Sequence, residues 1–80
     1  MISFKAKIIE VECNRSDGRI RFLLEKKDFN RITAFADEAT TIAGCILSFQ
    51  MNLNAEYTIE ESNGESLLNS VRLNIENLLF

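Results

Sequence analysis

The chain has 80 residues, nine basic and twelve acidic side chains, a net charge of −3, and no histidine, proline or tryptophan. That length predicts one domain over residues 1–80, with a thin core, because a chain this small buries only about 60–65% of its unfolded surface. The missing histidine removes the commonest general acid–base, and no apolar run reaches the ~18 residues of a membrane-spanning helix. Lysines and glutamates among the first thirteen residues argue against a signal peptide, so the expected compartment is cytoplasmic.

The first elements follow from Ser16-Asp17-Gly18, which is turn chemistry. A four-residue loop from Arg15 to Gly18 closes a hairpin and sets Cys13 opposite Ile20, Val11 opposite Phe22 and Ile9 opposite Leu24, all on one apolar face. The other face pairs Glu12 with Arg21 and Glu10 with Leu23. Ile2, Phe4, Ala6 and Ile8 are apolar on even positions, Ile9, Val11 and Cys13 on odd ones. That change of parity predicts a β-bulge at Ile8-Ile9; the alternative is that both faces are covered there.

After Leu24 a 3.6-residue period places Phe29, Ile32, Phe35, Ala36 and Ala39 on one helical stripe, with Asp28 as N-cap. Asp37 and Glu38 then sit at the end of that helix, where they oppose its dipole. Cys45, Leu47, Phe49, Met51 and Leu53 alternate as a strand. A second hairpin pairs Leu53 with Tyr57 and Met51 with Ile59. After a polar break at residues 60–65, Leu67, Leu68, Val71, Ile75, Leu78 and Leu79 form a last helical stripe, roughly 120° wide. The order is ββαββα, which predicts an α+β two-layer sandwich: an antiparallel sheet from two hairpins with two helices on one face.

Little here points to catalysis. Neither Ser nor Cys lies in a nucleophile motif, there is no glycine-rich phosphate loop, and the adjacent acids Asp37/Glu38 and Glu60/Glu61 read as solvated surface. No enzyme activity and no cofactor are expected. Cys13 and Cys45 are the only cysteines, and without CxxC or histidine a zinc site is not expected. Both read as buried small hydrophobes on predicted strands, with a disulfide as the alternative if those strands are neighbours.

Charge divides along the chain. Up to Arg31 eight bases meet five acids, net +3; from Ile32 onward one base meets seven acids, net −6. Lys5, Lys7, Arg15, Arg19 and Arg21 form a basic stripe along the first hairpin, a candidate contact for phosphate; the alternative is an ordinary solvated sheet face. The acids of the second half suggest a decoy that presents carboxylates in place of phosphates. On the far side of the last predicted helix Leu73 and Phe80 fall within about 20° of each other, a candidate self-association surface; alternatively Phe80 folds back onto the sheet.

The stretches Lys-Ala-Lys-Ile-Ile-Glu-Val (5–11) and Ser-Asp-Gly-Arg-Ile-Arg-Phe (16–22), with Asp28-Phe29 following, resemble small accessory proteins of phages and other mobile elements. The resemblance covers about the first 30 residues. It implies a non-enzymatic binder, some members of that class being inhibitors of host or defence proteins, and it carries over no site residue. The leading expectation is therefore a small binding or regulatory protein acting through protein–protein interaction, with itself as a homodimer and with another protein. The rival is a nucleic-acid-binding protein using the basic hairpin.

Overall fold

The structure, a computed structural model, describes residues 1–13 and 18–73. It contains β1 (Ile2–Cys13), β2 (Ile20–Lys26), β3 (Arg31–Ala36), α1 (Ala39–Gln50), β4 (Asn54–Ser62) and β5 (Glu65–Leu73). The strands close into a barrel in the order β1-β2-β3-β5-β4. All neighbours are antiparallel except β3 and β5, which meet in parallel at Phe35 and Leu67.

The first hairpin has the expected register from Cys13–Ile20 through Glu12–Arg21 and Val11–Phe22 to Glu10–Leu23. The pairing then shifts between Ile8 and Glu10, so that Ile8, not Ile9, faces Leu24. This bulge bends β1 and lets it serve two neighbours: its second half runs along β2, and its first half pairs with β4 from Ile2–Ile59 to Lys7–Asn54.

The ββαββα sandwich does not form. The molecule is a closed five-stranded barrel with one short helix, not an α+β two-layer domain. Beyond Leu24 the two periods were exchanged. Residues 31–36 carry Ile32, Ala34 and Ala36 inward against Arg31, Thr33 and Phe35 outward, a strand alternation that also fits a helical stripe. Residues 39–50 bury Thr41, Cys45 and Ser48, with Ile42 and Ile46 against the core, and expose Leu47 and Phe49. The apparent strand at 45–53 alternated apolar and polar residues whose true spacing of three and four hid behind two buried polar ones. Where the last helix is expected, residues Glu65–Leu73 form β5, turned back by Asn63 and Gly64, both at positive φ (53° and 77°); Ile75, Leu78 and Leu79 of the predicted stripe lie outside the described residues. An Asn-Gly pair between strands is the strongest short hairpin signal; it closes β4–β5 with Ser62 opposite Glu65.

The interior is filled by Ala6, Ile8, Phe22, Leu24, Ala34, Ala36, Ala55, Tyr57, Ile59 and Leu68, with Cys45 from α1. Four of these are alanines, so the barrel is narrow. Helix α1 lies close enough to β5 that a Cβ on Gly44 would overlap the Val71 side chain. Thr41 Oγ1 donates to the Asn69 carbonyl at 3.3 Å. Asn69 is the residue that the register shift in β4–β5 leaves out of the ladder, so the bulge supplies the helix with an acceptor. No helix among the described residues is long and apolar enough to cross a membrane.

With the helix between β3 and β4 and β1 shared by β2 and β4, the connectivity is that of the five-stranded Greek-key barrel called the OB-fold.

Candidate functional site

Side chains alternate along a strand, so the residues of β2 and β3 that do not fill the barrel form a common outer face. The register sets Arg21 beside Phe35, Leu23 beside Thr33 and Glu25 beside Arg31. On one side β1 adds Glu12 next to Arg21 and Glu10 next to Leu23; on the other β5 adds Leu67 next to Phe35. Glu10, Val11, Glu12, Arg21, Leu23 and Thr33 line an open hollow of about 340 Å³ on this face.

Arg19 is the most constrained cation here. Its guanidinium lies over the Phe35 ring, 4.4 Å from the centroid. Nη1 and Nη2 donate to the two carboxylate oxygens of Glu65 at 2.7 and 3.2 Å. A planar fork bound edge-on by a carboxylate and face-on by a ring is fixed in orientation. Arg19 directly precedes β2, and Glu65 directly follows the β4–β5 turn, so the pair ties together the ends of the β1–β2 and β4–β5 connections. Two further arginines hold glutamates at more exposed positions: Arg21 Nη2 donates to Glu12 Oε2, and Arg31 Nε donates to Glu25 Oε2 at 3.1 Å.

The β2–β3 turn adds an aromatic. Phe29 is 79% exposed and holds φ +68°, a left-handed conformation that is an outlier for a bulky residue. The turn is fastened by Phe29 N–H to the Lys26 carbonyl at 3.0 Å and by Asp28 Oδ1, which accepts from the Asn30 N–H at 3.0 Å. That backbone donor holds the Asp28 carboxyl below its usual range. Lys26 and Lys27 flank the same turn.

The predicted basic stripe is interrupted. Lys5 and Lys7 point outward from β1, but Lys5 faces Glu56 of β4 and Lys7 faces Glu25 of β2. Arg19 and Arg21 do share the β2 face, while Arg15 lies outside the described residues. Leu73 closes β5, not a helix, and packs against the core; the helical face it was to share with Phe80 is not built at residue 73. Phe80 itself lies outside the described residues. Cys45 is buried in α1, not in a strand, and Cys13 is exposed at the end of β1; both thiols are free.

Sequence reasoning missed Phe35, Arg31, Glu65 and Phe29. The alternation from Arg31 to Ala36 and the Asn63-Gly64 turn were the signals that would have placed the first three. The exposure of Phe29 follows from the turn alone. Comparison of the chain with protein-family models, with curated proteins and with solved structures finds no match.

Proposed function

We propose that the chain is a non-enzymatic protein that binds single-stranded nucleic acid on the outer face of β2 and β3. One observation carries the reading: the Arg19 guanidinium, laid over Phe35 and gripped by Glu65, is a flat cationic plate between the β1–β2 and β4–β5 connections. Unstacked bases rest on aromatic rings and on guanidinium planes, and barrels of this connectivity use that face and those two loops to hold oligonucleotides. Other barrels of this connectivity lend the face by analogy; the plate is this chain's own. Arg21 and Arg31 supply donors for phosphate on either side of the Leu23–Thr33 row, and Phe29 offers a second ring at the far end of the same hairpin.

The test is fluorescence anisotropy of a labelled oligothymidine at low salt, with a duplex of equal length beside it. The wild type binds the single strand in preference to the duplex. Arg19→Lys keeps the charge but loses the plane, and weakens binding roughly tenfold, within the range for one stacked base. Equal affinity of wild type and Arg19→Lys, or no binding by either, overturns the proposal.

A second reading retains a protein partner, as the resemblance to mobile-element proteins implied. Helix α1 has no charged residue between Ala39 and Gln50, and it exposes Leu47, with Met51 one turn further on. That is the surface on which self-association would rest.

A further inference from the structure

The three arginines of the face differ in how they hold their glutamates. Arg19 is partly buried and bound bidentately to Glu65 over a ring, which makes it a fixed support. In the other two pairs the arginine is more open to solvent, with 46% of the Arg21 and 60% of the Arg31 side chain exposed against 27% for Arg19; Glu12 is 63% exposed and Glu25 26%. Each joins one guanidinium to one carboxylate oxygen through a single donor nitrogen. Exposed pairs of this kind are weak, and a guanidinium fork accepts phosphate as readily as carboxylate. Glu12 stands beside position 21 of β2 and Glu25 is position 25 of the same strand, about 13 Å apart at the rise of a strand, with the hollow beside the first.

We infer that Glu12 and Glu25 occupy, in the free protein, the places that two phosphates of the bound strand take, and that binding exchanges carboxylate for phosphate on Arg21 and Arg31. The inference rests on the nucleic-acid reading above. It has a consequence that a plain basic patch does not share. A phosphate neutralised by a free arginine releases a condensed cation, which sets the steep salt dependence of such binding. A phosphate that displaces a glutamate also releases that cation, but the freed carboxylate gathers one in return. The exchange therefore flattens the dependence of affinity on salt.

The test compares Glu12→Gln/Glu25→Gln with the wild type and with Glu38→Gln/Glu60→Gln, binding oligothymidine across a salt series. The control removes the same charge from two carboxylates that hold no arginine among the described residues: Glu38 precedes α1, and Glu60 accepts from Asn69. At low salt the first variant binds about 3- to 10-fold tighter. Its log–log salt slope steepens by about 1.4, or ~0.7 for each arginine set free, while the control keeps the wild-type slope. A first variant with the wild-type slope, or a control that steepens as much, overturns the exchange and leaves the binding face standing. A wild type that binds no oligonucleotide at low salt overturns both. Thermal melts confirm that each variant folds; should the double variant unfold, Glu12→Gln and Glu25→Gln singly are each expected to steepen the slope by ~0.7.

Discussion

Tyr57 and Ser48 share a hydrogen bond of 2.8 Å inside the barrel, and Ser48 Oγ also donates to the Leu53 carbonyl at 3.3 Å. Burial pushes the Tyr57 hydroxyl up to about 12 and the Cys45 thiol, chiefly through desolvation as well, to about 12. Both groups are neutral in the folded state and ionise more easily once exposed, near about 10 and 9. Their contribution is thus complete below about pH 9 and is lost as pH rises towards 12. Denaturant midpoints are expected to be level from pH 7 to 8.5 and to fall steadily above, and Cys45→Ala should make that fall shallower. Tyr57 is the only tyrosine, so tyrosinate absorbance follows this one hydroxyl. Titration of the folded protein near 10 would show that the hydroxyl is not sealed. Nothing in the sequence marked Ser48 or Thr41 as interior, because a hydroxyl earns a buried place only from a partner: Tyr57 for one, and a carbonyl freed by a bulge for the other.

At the level of elements, the first hairpin and its bulge were legible because two local signals agreed, a Ser-Asp-Gly turn and a parity of apolar residues that changes once. Helix α1 was not. Its outward face has no charge to contrast with its inward face, so alternation along 45–53 looked like a strand. With α1 in that place, the electrostatics of its flanking acids change sign. Asp37 and Glu38 do not burden the end of a helix; they stand at the start of α1, with Glu38 as N-cap, where negative charge is favourable. The lack of charge on α1 bears on the second reading. If the helix is a contact between copies, light scattering at high protein concentration gives twice the chain mass and Leu47→Lys restores the single mass. A wild type of single mass at every concentration removes self-association through α1.

Across the whole molecule, the division of charge was legible, and its use was not. The basic half builds β1 and β2 and ends at the first residue of β3; the acidic half supplies the rest of β3, α1, β4 and β5. The two halves meet where Lys5 faces Glu56 and where Arg19 binds Glu65, so the opposed charges are spent between halves of one barrel as well as on its surface. The seams of the barrel are unequal. Along β1 and β4 six residue pairs are in register, from Ile2–Ile59 to Lys7–Asn54; along β3 and β5 a single pair, Phe35–Leu67, joins the parallel strands. The barrel is a ring with one thin weld, and Arg19, Phe35 and Glu65 lie across it. In amide hydrogen exchange the first protons to go from the ring should be those of Phe35 and Leu67, well ahead of those between β1 and β4. A strand lying on the Arg19 plate would bind β2, β3 and β5 to one another and slow that exchange. Occupancy of the face would then be written in the breathing of the barrel, with no change in its shape.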